Sequence, residues 1–273
     1  MKINPALIVT IIILLIFTLF PVSIAVAIEP EPDIPPEPEN PPEPQRVVYL
    51  TFDDGPSRNI TTAVLDILKQ EGVVATFYVL VMKNVDDVYW RIINEGHQLG
   101  NHTTTHNYYK VYRSGLEAFK NEVRKNHEFI LDNFGYDIKT FRFPGAGSLA
   151  KPADWINARK NFLHYEMGYR DFGWHISGDE GASHIFRATK RLEPTTEHII
   201  ILFHDGSGRN LTPGIITDVI AGFKEKGYAF DTMYNFPLSP AEKARIQEQR
   251  QQIRENEILE MQLVILTSES LED

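Results

Sequence analysis

Val-Val-Tyr-Leu-Thr-Phe-Asp-Asp-Gly-Pro-Ser, residues 47–57 of the chain, joins a short apolar run to two adjacent carboxylates and a turn. The β-branched and aromatic residues at its start are typical of a buried strand, and Gly55 with Pro56 ends that strand. Asp53 and Asp54 therefore follow a buried strand, where two like charges repel each other and are costly to desolvate. A bound cation is the simplest compensation. A helix N-cap followed by an Asp-Gly turn is the alternative for this stretch alone.

The composition limits the classes of site and partner. The 273 residues carry a net charge of −10, but residues 28–45 hold six acids and no base, and residues 239–273 hold eight acids and four bases. The intervening part is nearly neutral, so the sequence offers no basic surface for nucleic acid. The absence of cysteine excludes disulfides and thiolate metal sites, which leaves histidine and carboxylates as the strong metal ligands.

The N-terminal flank predicts export. Lys2 precedes a long apolar stretch, and Ala-Val-Ala at 25–27 fits a cleavage site, so residues 1–27 are predicted to be a signal peptide or an N-terminal membrane anchor. Residues 28–45 hold eight prolines and are predicted to be an extended Pro/Glu-rich linker that holds a domain away from a membrane or wall. A ligand for a proline-binding module is the alternative for the linker.

Residues 46–238 alternate short apolar runs with helical segments. Such repeated βα units predict a parallel sheet, either a barrel or a doubly wound sheet, and no glycine-rich nucleotide-binding motif follows any of the runs. Glycines at 72, 96, 135 and 227 follow helical runs, as helix-ending glycines do. The strands are predicted at 47–52, 75–80, 97–101, 140–143, 162–167, 173–177, 198–203 and 228–232, and the helices at 61–70, 86–94, 114–133, 152–160, 184–191 and 213–226.

The composition changes again after residue 238. Residues 239–273 are rich in Glu, Gln, Arg and Ile, and they are predicted to form a charged helical C-terminal extension. An accessory segment and a short coiled-coil or docking helix both fit this composition.

Further polar side chains follow other predicted strands. His102 and His106 come after the third run, and their spacing predicts that both face one side of a helical turn, where they can share a metal. Together with the Asp pair they indicate a catalytic rather than a structural metal site. Arg142 can hold a carboxylate bidentately, and a strongly apolar strand delivers His204, although each residue alone also fits an ordinary structural role. Parallel α/β sheets and barrels place their sites at this carboxyl edge.

Four ordered motifs resemble those of the NodB-type polysaccharide deacetylases, carbohydrate esterase family 4. They are Thr-Phe-Asp-Asp-Gly-Pro at 51–56, His-xxx-His at 102–106, Arg-Phe-Pro-Gly at 142–145 and Leu-Phe-His-Asp at 202–205. The resemblance covers residues 46–237. It implies an α/β fold, a distorted, incomplete (β/α) barrel with parallel strands, and metal-dependent removal of acetyl groups from sugars.

The resemblance also implies a ligand set. Asp54, His102 and His106 match the family's metal ligands, usually for Zn²⁺, with Co²⁺ as another divalent candidate. This agrees with the independent argument that a cation is needed beside the Asp pair, because a Lewis acid can activate water while separate groups move the protons.

The remaining motif residues match groups that handle protons or surround the substrate. Asp53 resembles the general base that takes a proton from the attacking water, and Arg142 resembles the partner that holds it. His204 resembles the general acid that protonates the leaving amine. A backbone N–H near Gly145 would stabilise the oxyanion, and Trp174 would wall the acetyl pocket or pack in the core.

Two positions depart from the family pattern. Ala146 stands where the third motif usually has a glycine, which makes a local variant of the oxyanion turn. Gly173 stands where the fourth motif has an Asp that orients the acid histidine. Loss of that carboxylate predicts a less well oriented His204 with a lowered imidazolium pKa, unless Asp171 or Asp179 substitutes for it.

The sequence therefore predicts an exported, metal-dependent N-deacetylase of N-acetylglucosamine-containing glycan, with peptidoglycan as the favoured substrate. The expected partner is cell-wall glycan, with no nucleic acid or protein partner, and with membrane contact only through an uncleaved N-terminal segment. One alternative is an O-acetyl esterase acting on xylan or another glycan. Others are a metal-retaining pseudoenzyme that only binds glycan, suggested by Gly173, and a wall-anchored scaffold with no site.

Overall fold

A computed structural model describes residues 46–145, 152–192, 196–206, 208, 211–248, 251–252, 255 and 259. The predicted signal or anchor segment (1–27), the predicted linker (28–45) and the variant position Ala146 lie outside these residues. Within the described part of the chain, no helix combines the length and the apolar character needed to cross a membrane.

Parallel pairing joins all the strands of the described residues into one sheet of eight. The strands are β1 (Val47–Asp53), β2 (Thr76–Val79), β3 (Gln98–Asn101), β4 (Thr140–Phe141), β5 (Arg170–Asp171), β6 (Ile176–Ser177), β7 (His198–His204) and β8 (Ala229–Phe230). Their order is β5-β4-β3-β2-β1-β7-β6, and β8 pairs with the first residues of β1. β1 and β7 pair over their whole length, so they form the centre of the sheet.

The sheet curls into an incomplete barrel, as the resemblance implied. β5 and β6 are the two ends of the strand order, and residues 172–175 connect these two edges. We call residues 172–175 the bridging segment. The barrel is therefore open between β5 and β6, and the bridging segment spans the opening.

Helices connect most of the strands, as expected for βα units. They are α1 (Ile60–Glu71), α2 (Asp86–Asn94), α3 (Tyr108–Tyr112), α4 (Leu116–Phe134), α5 (Ala153–Asn161), α6 (Ala182–Leu192) and α7 (Gly214–Glu225). Gly72 ends α1 and Gly135 ends α4, both in the left-handed conformation that a glycine adopts without strain. Residues 240–248 of the C-terminal extension are also helical.

One predicted strand was wrong, and three others are clearly shorter in the structure than predicted. Residues 162–167 were predicted as a strand, but Phe162–Glu166 form a turn of π-helix that continues α5. A short apolar run cannot be distinguished from a buried helical turn by its periodicity, and Phe162 is buried beneath α4. The predicted strands at 140–143, 173–177 and 228–232 are shortened to β4, β6 and β8. β6 is short because the first residues of its predicted range belong to the bridging segment.

The alternating side chains of β1 separate two parts of the core. Val48, Leu50 and Phe52 point outward and pack in the large cluster beneath the helices. Val47 and Tyr49 point inward and pack in a smaller cluster inside the barrel. The strand is buried on both faces, which explains its continuous apolar character.

A 3₁₀ turn, Met233–Asn235, closes the barrel at the end where the strands begin. The backbone N–H of Met233 donates to Thr76 (2.9 Å), and the N–H of Tyr234 donates to Gln98 (2.7 Å). Both acceptors are the first residues of their strands, so the opposite, carboxyl end of the sheet remains available for a site.

Replacing Phe119 with alanine is expected to lower the free energy of unfolding by about 3–5 kcal/mol, because it leaves a cavity in the large cluster. Phe119 is fully buried and its ring contacts Phe141, Phe143 and Phe162. Urea denaturation measures the loss. The control Tyr234→Ala, at a side chain that is 66% exposed, should change stability little. Equal losses in the two variants would contradict this packing.

Candidate active site

Asp53 and Asp54 lie at the carboxyl end of β1, and both are buried, with exposed fractions of 2% and 9%. Asp53 is the last residue of the strand, and Asp54 turns the chain with a left-handed φ of 73°. The end of β7 packs against this turn, since the N–H of Asp205 donates to the carbonyl of Asp53 at 3.0 Å. A Cβ at Gly206 would lie 2.6 Å from the carbonyl oxygen of Asp54, so only glycine allows this approach.

His102 and His106 lie in the loop between β3 and α3, so the prediction that they share a helical turn was wrong. Thr103 and His106 have positive φ values of 73° and 54°, which a right-handed helix does not allow. Local hydrogen bonds hold the loop instead. The N–H of Thr103 donates to Asn101 Oδ1 (2.8 Å), and the N–H of His106 donates to Thr103 Oγ1 (3.1 Å).

The two imidazoles nevertheless converge on one carboxylate oxygen. Asp54 Oδ1 lies 3.5 Å from Nε2 of His102 and 3.3 Å from Nε2 of His106. The candidate ligand atoms of the three residues all lie within 4.8 Å of one another. We call Asp54, His102 and His106 the metal cluster.

The donor chemistry of the metal cluster fits a divalent cation. Nδ1 of His102 is 2.8 Å from the backbone carbonyl of Arg142, which can only accept, so Nδ1 carries the hydrogen. In the neutral ring, Nε2 then presents a lone pair toward the carboxylate of Asp54, an arrangement that a cation between them stabilises. Burial and the neighbouring His102 lower the pKa of His106, which favours the neutral form that binds metals.

Arg142 directly follows β4 and is the largest side chain buried in the barrel, with 1% exposed. Its Nη1 donates to Asp53 Oδ1 at 2.9 Å and to Thr51 Oγ1 at 2.7 Å. Its Nη2 donates to the carbonyl of Gly173 at 2.9 Å, and the guanidinium lies 4.3 Å from the ring centre of Tyr78. The buried carboxylate of Asp53 therefore has a cationic partner whose own donors are also paired.

His204, the last residue of β7, has a carboxylate partner although position 173 is glycine. Its Nδ1 is 2.7 Å from Oδ2 of Asp179, which lies between β6 and α6. Asp171, the other substitute that the sequence offered, instead contacts His164 at 2.6 Å and Lys160 at 2.9 Å. Asp179 is therefore the residue that reaches the histidine.

This contact reverses the expected shift at His204. Burial alone lowers the pKa of His204, but the hydrogen bond and the charge of Asp179, together with Asp53 and Asp54, raise it above its ordinary value. The lowering predicted for a histidine without a carboxylate partner therefore does not apply, because Asp179, one of the two substitutes that the sequence offered, supplies the carboxylate from another loop. A raised pKa favours the protonated ring near neutral pH, as a general acid requires.

Gly145 and Trp174 border the same region. Gly145 has a φ of 60°, and a Cβ there would overlap the hydroxyl of Tyr108, whose ring packs edge-on against His106 with centroids 5.2 Å apart. Trp174 is half-buried, packs against the inner cluster and lies 5.9 Å from the guanidinium carbon of Arg142. Their roles toward the oxyanion and the acetyl group remain predictions.

The sequence reasoning assigned no role to Thr51, Tyr108 or Asp205. Thr51 lies two residues before Asp53 and therefore on the same strand face, which was the available signal for its contact with Arg142. Asp205 is fully buried, which raises its pKa to about 7 although the hydroxyl of Thr61 donates to it at 2.5 Å. No sequence signal indicated that the ring of Tyr108 would pack beside a candidate ligand.

The chain is similar to known polysaccharide deacetylases. The family profile described as Polysaccharide deacetylase matches residues 40–163. A peptidoglycan-N-acetylglucosamine deacetylase of Bacillus cereus is 30% identical over 215 residues, which cover 71% of this chain and 73% of the relative. A bifunctional xylanase/deacetylase of Pseudobutyrivibrio xylanivorans is 28% identical over 193 residues, which cover 69% of this chain and 30% of the relative.

A solved structure is also similar. The crystal structure of the polysaccharide deacetylase Bc1974 from Bacillus cereus aligns with a TM-score of 0.60 and 28% sequence identity. The alignment covers 74% of this chain and 100% of that chain. The parallel, incomplete barrel is thus found in this neighbour as well.

His102→Ala is expected to weaken Zn²⁺ binding by about tenfold or more, because it removes one donor of the metal cluster. Equilibrium dialysis of the purified protein measures the affinity and the stoichiometry. The control His184→Ala, at a histidine that pairs with Glu180 outside the site, should bind Zn²⁺ as the wild type does. If His102→Ala retains the wild-type affinity, the metal cluster is assigned incorrectly.

Arg142→Met is expected to lower the free energy of unfolding of the metal-free protein by about 3–5 kcal/mol, because it leaves the charge of Asp53 buried without a partner. Adding Asp53→Asn should recover part of the loss, since that charge is then absent. Urea denaturation measures each variant, with Arg58→Met as a control because its pair with Asp87 is exposed. No recovery in the double variant would argue against a charge penalty.

Proposed function

Because the chain belongs to the polysaccharide deacetylase family, we propose that it is an exported, metal-dependent N-deacetylase acting on N-acetylglucosamine-containing glycan, with peptidoglycan as the substrate. Enzymes of this family are hydrolases that act on carbon–nitrogen bonds. The proposal extends this family assignment to the substrate, the metal and the role of each side chain.

The observation that carries the proposal is the convergence of the metal cluster with a separate base and acid. Nε2 of His102 lies 3.6 Å from Asp53 Oδ2, so the candidate base borders the cluster. Asp53 and His204 are register partners on the paired strands β1 and β7, so the candidate acid stands beside the base. Hydrolysis of an amide requires this set of groups: one that activates water, one that accepts a proton and one that donates a proton.

A divalent cation held by the metal cluster would polarise the acetamide carbonyl and lower the pKa of a water molecule. We propose Zn²⁺, because two imidazoles and one carboxylate with open positions form a common catalytic zinc donor set, and Co²⁺ is the other candidate. Asp54 would then stay ionised, whereas Asp53 would remain able to exchange a proton.

Asp53 is proposed as the general base. Its Oδ1 accepts from Arg142, which leaves Oδ2 beside the metal cluster to take a proton from the water that attacks the carbonyl. His204 is proposed as the general acid. Because its Nδ1 is bound to Asp179, its Nε2 is the atom that donates a proton to the leaving amine. The broken C–N bond yields acetate and a free amine.

The remaining roles concern the substrate. A backbone N–H near Gly145 is proposed to stabilise the oxyanion, because preorganised backbone donors act most strongly where charge develops. Trp174 is proposed to wall the acetyl pocket, which its half-buried position beside Arg142 supports.

The substrate and the location are supported by the relatives and the N-terminal flank. The Bacillus cereus relative is named for its action on peptidoglycan N-acetylglucosamine. An apolar segment at 1–27 and a Pro/Glu-rich linker at 28–45 fit an enzyme that is secreted or anchored outside the cell. The proposed partner is therefore cell-wall glycan.

A second candidate function is O-acetyl esterase activity on xylan or another glycan. It is favoured by one observation, the similarity to a bifunctional xylanase/deacetylase. The glycan-binding pseudoenzyme was suggested by the glycine at 173, which leaves that position without a carboxylate for the acid histidine. Asp179 contacts His204 in its place, so this alternative loses its main support.

The purified protein loaded with Zn²⁺ or Co²⁺ should release acetate from N-acetylglucosamine oligomers and from peptidoglycan. Asp53→Asn should lower kcat by about 100-fold or more, since the base is lost, while the bound metal remains because Asp53 is outside the metal cluster. Acetate release and metal content measure the two effects separately.

The matched control is Asp66→Asn, at an exposed carboxylate that pairs with Arg91, and it should leave kcat unchanged. Acetate release from acetylated xylan alone would favour the esterase. An absence of acetate from every glycan, despite one bound metal per chain, would contradict the proposal and favour a binding role.

A further inference from the structure

Three threonines separate the two histidines of the metal cluster, and α4 holds all three. We call residues 102–106 the histidine loop. The carbonyl of Thr103 accepts from Asn126 Nδ2 at 2.8 Å. The hydroxyl of Thr104 donates to the carbonyl of Glu122 at 2.8 Å. The N–H and the hydroxyl of Thr105 both donate to Oε2 of Glu122, at 2.9 Å and 2.7 Å. Every residue between the two candidate ligands is therefore bound to α4.

The part of α4 that makes these contacts is itself fixed to the sheet. Glu122 and Asn126 are one helical turn apart, so they lie on the same side of the helix, and they are only 4% and 0% exposed. Nδ2 of Asn126 also donates to the carbonyl of Val79 at 2.8 Å, at the end of β2. Nδ2 of Asn101, at the end of β3, donates to the carbonyl of Val123 at 2.9 Å. The helix therefore forms a rigid base for the histidine loop.

Glu122 is a buried carboxylate whose oxygens both have partners. Burial of a charged group is costly unless hydrogen bonds or an opposite charge replace its hydration. Oε2 accepts the two hydrogen bonds from Thr105, and Oε1 lies 2.9 Å from Nζ of Lys110 on α3. Hydrogen bonds to an ionised acceptor are stronger than those between neutral groups. Glu122 thus joins α4 to the histidine loop and to the helix that follows the loop.

The conformation of the histidine loop needs such support. Thr103 and His106 have φ values of 73° and 54°, a region that residues with a side chain rarely adopt unless their surroundings hold them there. The carbonyl of Arg142 fixes the ring of His102. The place of His106 relative to that ring then depends on the conformation of residues 103–105. A loop that is already held in this conformation leaves less ordering for a bound cation to impose.

We infer that Glu122 is a positioning residue for the metal cluster. Its contacts with Thr105 and Lys110 hold the histidine loop in the conformation that brings Nε2 of His106 to within 3.3 Å of Asp54 Oδ1. Glu122 acts through the loop and is not itself a ligand. The inference rests on the metal site of the proposed function, and it concerns the affinity and geometry of that site.

The first test is the Zn²⁺ affinity of the full-length protein, measured by equilibrium dialysis. Glu122→Ala should weaken Zn²⁺ binding by about tenfold or more, since residues that orient metal ligands contribute this much to affinity. Glu122→Gln should bind with an intermediate affinity, because its amide oxygen can still accept from Thr105 but it carries no charge for Lys110. The matched control is Glu128→Ala, at an exposed glutamate of the same helix, which should bind as the wild type does.

A second pair of variants tests the contact from the loop, at an exposed residue whose substitution leaves the core intact. Thr105→Val removes the hydroxyl that donates to Glu122 and should weaken Zn²⁺ binding by about threefold, because the N–H still donates. Thr105→Ser keeps the hydroxyl and should restore the wild-type affinity. A Thr105→Val protein that binds Zn²⁺ as tightly as the wild type would overturn the inference.

The visible absorption spectrum of bound Co²⁺ provides a readout of geometry, because its bands depend on the arrangement of the ligands. Glu122→Ala should change the Co²⁺ spectrum, whereas Thr105→Ser should give that of the wild type. A Glu122→Ala protein with the wild-type affinity and spectrum would overturn the inference. Lower stability to urea, without a change in either readout, would show a merely structural role and would also overturn it.

This inference and the proposed function fail in different ways. If the wild type binds Zn²⁺ but releases no acetate from any glycan, the proposed function fails, and the Zn²⁺ affinities of the variants still test Glu122. If the wild type binds no Zn²⁺, the metal cluster is assigned incorrectly, and the inference falls with it.

Discussion

The structure depends on one buried ion pair, between Arg142 and Asp53 inside the barrel. A carboxylate at the end of a buried strand is tolerated only where a cation and hydrogen bonds replace its hydration. Arg142 satisfies this constraint, and the same side chain joins β4 to Thr51 on β1 and to the carbonyl of Gly173 on the bridging segment. Its own carbonyl sets the orientation of His102. One residue thus connects the packing of the barrel with the geometry of the site.

The incompleteness of the barrel has a chemical consequence. β6 is an edge strand beside β7, so the residues after β6 can continue along β7 to its carboxyl end. There the side chain of Asp179 contacts His204. At the other side of the opening, the bridging segment supplies backbone carbonyls to the guanidinium. The candidate base and acid are therefore each held by a partner from a different element, while they sit side by side on β1 and β7. A cationic partner thus holds the candidate base, and an anionic partner holds the candidate acid.

Sequence patterns predicted a parallel sheet, the buried strand β1 and the polar residues at the carboxyl edge, because a buried strand and its terminal polar groups are local features. The incomplete barrel was implied by the family resemblance. The patterns failed where long-range contacts decide the local structure. The apolar run that begins at Phe162 was interpreted as a strand, whereas its burial comes from packing against α4. The spacing of His102 and His106 was interpreted as helical, because spacing alone does not reveal the positive φ values in the loop. The importance of Asp179 depends on the register between β6 and β7, which a single sequence does not display. Sequence reasoning could name Asp179 as a candidate, but only the geometry selects it over Asp171.

The proposed reaction depends on a metal site formed by Asp54, His102 and His106 at the end of β1. The most direct measurement is anomalous diffraction at the zinc edge from crystals of the protein grown with Zn²⁺. We expect a single strong anomalous peak about 2.0–2.3 Å from Nε2 of each histidine and from a carboxylate oxygen of Asp54. A fully occupied peak at any other position, or no peak among these three side chains at saturating Zn²⁺, would contradict it.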